Sequence, residues 1–170
     1  MIRVTQESDL PINHSFLYLY MFVLGLGVFQ TSMSFAGTTQ TIPVLAEKFG
    51  WGEEIVFYNT IITSAGILGL STGSLLGGKT ITIGRRKAAL IMQIVALVGG
   101  IFTQYLHVAT LCIGRFMYGF AAGHLNIIMA KSIDETMPAS IKASFGIGTN
   151  AFLRIGIMLI FFLGAILPDT

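Results

Sequence analysis

The sequence predicts an all-α fold: a polytopic transmembrane helix bundle with about five spans. Three observations carry that prediction. Of 170 residues, 54% are hydrophobic and only 11% charged, against about 25% charged in soluble domains. The apolar residues gather into stretches long enough to cross a bilayer core of about 30 Å, which takes roughly 20 helical residues. The charges gather between those stretches, and the mean hydropathy is +0.78. Ten Lys+Arg and eight Asp+Glu cannot coat a soluble domain, so a soluble globular enzyme and a disordered chain are both excluded. A net charge of +2 is too small to recruit nucleic acid. Cys112, the single cysteine, allows neither an intrachain disulfide nor a cysteine-based metal site. His14, His107 and His124 are too scattered to share a metal, and no cofactor motif is present.

In chain order, residues 1–14 form a polar segment whose Glu7 and Asp9 argue against a mitochondrial presequence. Residues 15–36, 55–78 and 88–105 are three spans without formal charge. The fourth, 110–130, contains Arg115 and His124, and the fifth, 143–167, contains Arg154, leaving 168–170 as a short polar end. Lipid offers backbone groups no partner, so each span is helical, and the period-two alternation of an outer-membrane barrel is absent. Lys79, Arg85, Arg86 and Lys87 lie between the second and third spans; Glu47, Lys48, Glu53 and Glu54 lie between the first and second. The cationic loop belongs on the cytoplasmic or matrix side. That places the N-terminus and the 131–142 loop on the same side, and 106–109 and 168–170 opposite.

Glycine is unusually frequent for helices, with 20 residues. Each costs about 1 kcal/mol against alanine in water, but in a membrane glycine allows the close helix contact that drives association. Gly69-x3-Gly73-x3-Gly77 and Gly119-x3-Gly123 each form a smooth face. Such a face serves static tight packing or sliding between helices, and both readings stand at this point.

The segment Gly77-Gly78-Lys79-Thr80-Ile81-Thr82-Ile83-Gly84-Arg85-Arg86-Lys87 resembles the signature loop G-x-x-x-D-R-x-G-R-R of the major facilitator superfamily. Gly114-Arg115-Phe116-x2-Gly119-x3-Gly123 and Glu135-Thr136-Met137-Pro138-x3-Lys142-Ala143 resemble the G-R-x-x-x-G-x-x-x-G and E-x-x-P-x-x-x-R-G motifs of its sugar porter branch. The three occur in family order and cover nearly the whole chain. The resemblance implies an incomplete N-terminal half of a major-facilitator fold. It also implies a gate in which Arg85, Arg86 or Lys142 meets Asp134 or Glu135. Simple topology, positive charge holding a loop inside, accounts for the same cations. The sequence departs from the family at Ile81 for the signature Asp, Thr82 for its Arg, and Lys142-Ala143 for Arg-Gly; lysine keeps the charge but loses the planar five-donor fork.

By the same resemblance, Gln30 stands where proton-coupled members titrate an acid. Gln30 cannot titrate, which points to facilitated diffusion. Asn150 takes the place of a sugar-binding Gln, and an amide supplies both donor and acceptor to a hydroxyl. Thr149 and Asn126 are further substrate-binding candidates, with Asn59, Thr60 and Thr63 behind them; each is equally an interhelical hydrogen-bonder. His124 reads as a hydrogen-bonded interior residue, and Arg115 matches the family. Arg154 does not: a charge near midplane costs at least about 2.5–3.5 kcal/mol, and all eight acids lie outside the five spans. Its partner is therefore sought outside this chain, in an anionic solute, a lipid headgroup or an acid on another subunit.

A complete carrier of this type has two halves, with substrate bound between them. Five of its twelve helices fall in these residues, so the chain is not expected to transport alone, and no catalytic constellation supports an enzyme. Two readings follow: part of a facilitative carrier for hexose or another small solute, completed by the missing helices, or a transporter-derived accessory subunit beside neighbouring membrane subunits, in a setting such as the inner mitochondrial membrane.

Overall fold

The computed structural model describes residues 14–105, 107–137 and 139–166. It contains five long α-helices: α1 (His14–Phe49), α2 (Ile55–Thr80), α3 (Arg85–Gln104), α4 (Val108–Thr136) and α5 (Ala139–Ile166). Short 3-10 turns at Gly52–Glu54 and Ile81–Ile83 precede α2 and α3. The helices outrun the apolar stretches, because i→i−4 bonding does not stop where hydropathy falls. Thus α1 continues thirteen residues past Ala36, with Pro43 inside it. The third span takes Arg85, Arg86 and Lys87 into its own first turn. The expected 131–142 loop is mostly helix, because Lys131, Asp134 and Glu135 close α4 and Lys142 lies in α5. Met137, extended at φ −98 and ψ 134, is the break, as expected for a residue before proline; Pro138 itself lies outside the described residues.

α4 is the central helix. It packs on α2 and α3 over long faces, while α1 pairs with α5 and meets the rest mainly through α4. The α2–α4 contact is made backbone to backbone. A Cβ added at Gly69 or Gly73 would meet the carbonyl of Phe116 or Phe120, and one at Gly119 or Gly123 the carbonyl of Gly66 or Leu70, all closer than 3.0 Å. The two glycine faces therefore interlock, each receiving the partner's carbonyl row. Gly77 ends the α2 face against Ile127 and His124. Gly99 and Gly114 do the same for α3 and α4. On the α1–α5 side, Gly25 faces Phe152 and Gly156 faces Ser32.

Small residues inside leave the large ones outside. Leu75 is 80% exposed and Ile147 72%, and many other Leu, Ile and Phe side chains share that outer surface. In water such coverage would far exceed the few hundred Å² of a normal apolar patch; around a bilayer-spanning bundle it is the lipid contact. Among the described residues, three helical segments are long and apolar enough to cross a membrane: Gly52–Ile83, Arg85–Gln104 and Ile141–Ile166. α4 carries Arg115 and His124 and has the longest run of buried residues, Ala121 to Leu125.

Candidate functional site

At one end of the bundle the α2–α3 connection, the end of α4 and the start of α5 come together. Gly84 makes the turn into α3 at φ 106 and ψ 126, a conformation L side chains rarely adopt. It delivers Arg85 onto Glu135, with Arg85 Nη2 to Glu135 Oε2 at 2.5 Å. Lys142 Nζ lies 2.9 Å from Asp134 Oδ1. Both pairs are partly solvated, with side-chain exposures between 37% and 59%. Each charge also sits at the unfavourable end of its own helix: cations in the first turns of α3 and α5, anions in the last turn of α4. The macrodipole disfavours each arrangement by about 0.3–1 kcal/mol, and the cross-helix pairs offset that. Arg86 is exposed beside them.

Above this end a cleft of about 430 Å³ opens between α1, α4 and α5. Asn126 on α4 and Thr149 and Asn150 on α5 line it, with Val28 of α1, and the Asp134–Lys142 pair sits at its edge. Thr149 is buried; its hydroxyl donates to Gly146 O at 2.9 Å, and Asn150 Nδ2 donates to the same carbonyl at 3.0 Å. Those bonds hold both side chains against their own helix and leave further amide and hydroxyl capacity toward the cleft. Gln30 lies on α1, but its side chain lies outside the described residues.

A second cavity, about 690 Å³, lies toward the Trp51 end between α1, α2 and α4, with Asn59, Thr63 and Arg115 among its lining residues. Thr63 Oγ1 donates to Asn59 Oδ1 at 3.1 Å, and Thr60 bonds Val56 O at 2.7 Å. Of the polar side chains singled out from sequence, Asn59 and Thr63 therefore line one space and Asn126, Thr149 and Asn150 the other.

His124 is 1% exposed. Its Nδ1 lies 3.2 Å from Phe120 O, where only an N–H can bond, and its Nε2 lies 3.1 Å from Thr80 Oγ1. It ties α4 to the end of α2 just before the signature turn. Thr80 as the partner has no sequence signal, being 44 residues away. No group of three or more His, Cys, Asp or Glu among the described residues is placed to hold a metal. Arg154 lies on the exposed side of α5.

A membrane helix bundle with lipid-facing apolar walls, a polar cleft between helices and charge pairs closing one end has the anatomy of part of a solute carrier. The chain belongs to the family described as "Sugar (and other) transporter", whose model matches residues 18–170, and it is an integral membrane protein. Similar proteins include glucose transporter 2C of Trypanosoma brucei brucei, 32% identical over 119 residues, covering 66% of this chain and 35% of the relative. Hexose transporter 1 of Toxoplasma gondii is 27% identical over 147 residues, covering 79% of this chain and 26% of the relative. Hexose transporter 1 of Plasmodium yoelii yoelii is 24% identical over 173 residues, covering 96% and 34%. The chain thus spans about a third or less of the length of these relatives. They are transporters by name, not enzymes.

Proposed function

We propose that this chain supplies the N-terminal part of a facilitative carrier for hexose-class solutes. The observation that carries the reading is the convergence of Asn126, Thr149 and Asn150 on one cleft bordered by the Asp134–Lys142 pair. Amides and hydroxyls with spare donors and acceptors suit sugar hydroxyls, and a cleft of this volume lies within the usual 300–1,000 Å³ range of small-molecule sites. The Arg85–Glu135 and Lys142–Asp134 pairs form the latch on the cytoplasmic or matrix face, where the N-terminus also lies, and they break when the cleft opens to that side. Gln30 replaces the titrating acid of proton-coupled carriers, so movement is downhill. The hexose names of the relatives support the substrate class.

The test is uptake of radiolabelled glucose by the full-length gene product in cells lacking hexose carriers. Saturable uptake, competed by unlabelled hexose and insensitive to a protonophore, is expected. No uptake above background, with the protein instead co-purifying stoichiometrically with a large membrane complex, establishes the accessory-subunit reading in its place.

A further inference from the structure

The hydrogen bonds around His124 are one hydrogen short. Phe120 O can only accept, so Nδ1, 3.2 Å away, carries the N–H of the neutral ring. Nε2 is then an acceptor, and it calls on the hydroxyl hydrogen of Thr80 at 3.1 Å. The same hydroxyl lies 3.2 Å from Leu76 O, which also can only accept. A hydroxyl has one hydrogen to give, so the neutral ring leaves two acceptors competing for it. A proton on Nε2 ends the competition: the ring donates to Thr80 Oγ1, and Thr80 donates to Leu76 O.

The ring is 1% exposed, and a buried charge is costly unless its surroundings compensate. Here they are arranged for a cation. Both N–H groups of the charged ring have acceptors in place. The Phe120 ring lies 4.5 Å away between centroids, inside the reach of about 6 Å over which an aromatic face attracts a cation. Thr80 is the last residue of α2, and a Cβ on Gly77 would lie 3.5 Å from His124 Cα. The ring therefore meets the negative end of the α2 dipole, where a cation is favoured. The other charged groups toward this end are Lys79 on α2, the cations at 85–87 on α3, and Lys131, Asp134 and Glu135 on α4. All of them reach solvent, Arg85 paired with Glu135 and Asp134 with Lys142 of α5.

We propose that His124 is a proton-binding site, and that its proton pins the end of α2 to α4. From Thr80 the chain runs through the Ile81–Ile83 turn and Gly84 directly into Arg85, so the pinned end also holds the Arg85–Glu135 pair closed; this last step rests on the latch reading above. His124 lines neither of the two cavities, so the proton regulates opening and does not travel with the solute.

The test is amide hydrogen exchange across 77–83 in the full-length gene product in lipid nanodiscs. It is read at about pH 5.5 and about pH 7.5, on either side of an ordinary histidine titration, each corrected for the exchange rate of the unfolded chain at that pH. Wild-type protection is expected to be about fivefold higher at the acid pH, the scale of one net hydrogen bond. His124→Gln keeps an N–H for Phe120 O and a carbonyl for Thr80 but takes up no proton, so its protection should be the same at both. Equal wild-type protection at the two pH values overturns the inference. A difference that survives His124→Gln overturns it too, and assigns the titration to Asp134 or Glu135. A second measurement needs no variant: ring-nitrogen spectra of isotope-labelled histidine should show one ring that keeps its Nδ1–H throughout and gains Nε2–H on acidification, and the lack of such a ring overturns the proton site. Glucose exchange across vesicles should slow at the acid pH in the wild type alone. Acid protection without that slowing overturns the link to the latch, whereas no glucose exchange at any pH overturns the carrier reading and leaves the proton site to the first two measurements.

Discussion

Replacing Gly73 with alanine tests the interlocked α2–α4 contact. The added methyl falls on the backbone of Phe120, not on the tip of a flexible side chain. Backbone cannot rotate away, so the two helices must separate by on the order of 1 Å, and a gap of 0.5–1 Å forfeits a quarter to a half of each van der Waals contact. Gly69, Gly119 and Gly123 lie in the same interface and lose contact together. Overpacking of this kind costs about 1–3 kcal/mol, reduced by up to about 1 kcal/mol from the better helix propensity of alanine. Gly78, five residues along on the same helix, is exposed, and an added Cβ there meets nothing within 4 Å; Gly78→Ala retains only the propensity gain. Both variants share the propensity gain, so they should differ by the overpacking cost alone, about 1–3 kcal/mol, or roughly 2–12 °C on the scale of a chain this size. The single tryptophan, Trp51, stacks on Tyr58 of α2 at 4.8 Å and reports thermal unfolding in detergent. Gly73→Ala as stable as Gly78→Ala would refute the interlocking account.

Other perturbations have equally definite outcomes. Exchanging Arg85 and Glu135 keeps an ion pair but moves each charge to the favourable end of its helix, so the double reversal should match or exceed wild-type stability by about 0.3–1 kcal/mol per end, while Arg85→Glu alone is destabilised; a four-way thermal comparison checks this. Truncating the same pair singly should cost only about 0.2–1 kcal/mol, since both side chains are more than a third exposed, and the cost should shrink in high salt. Gly84→Ala and Gly84→Asn should both lose about 1–3 kcal/mol from backbone strain alone, because no neighbour lies within 4 Å of an added Cβ there. His124→Leu should cost about 1 kcal/mol for its hydrogen bonds and not more, since Thr80 already reaches Leu76 O at 3.2 Å; hydrogen exchange at the α2 end should rise.

The helices were legible because bilayer-length apolar runs have few other interpretations, and the glycine faces because a four-residue period places them in one line. Helix ends were less legible. Hydropathy marks where lipid ends, whereas α1 ends at Phe49 and α4 at Thr136, where bonding stops. The ion pairs were readable as a set of possible partners, Asp134 or Glu135 with Arg85, Arg86 or Lys142, but the particular pairing depends on how α3 and α5 meet the end of α4. The division of polar candidates into two cavities was not readable at all. Asn59 and Asn126 differ in which neighbours their helices face, and no local pattern records that.

The most direct test of the account asks which cavity takes the solute. Asn150→Cys and Asn59→Cys, each introduced alone into full-length protein with Cys112 and any other cysteines replaced, are reacted with a polar thiol reagent with and without glucose. At ten times its Kd, glucose leaves roughly a tenth of its sites free, so labelling at position 150 should slow about tenfold while labelling at position 59 keeps its rate. Unprotected labelling at position 150, or protection confined to position 59, contradicts the assignment of the solute site to the cleft between α1, α4 and α5.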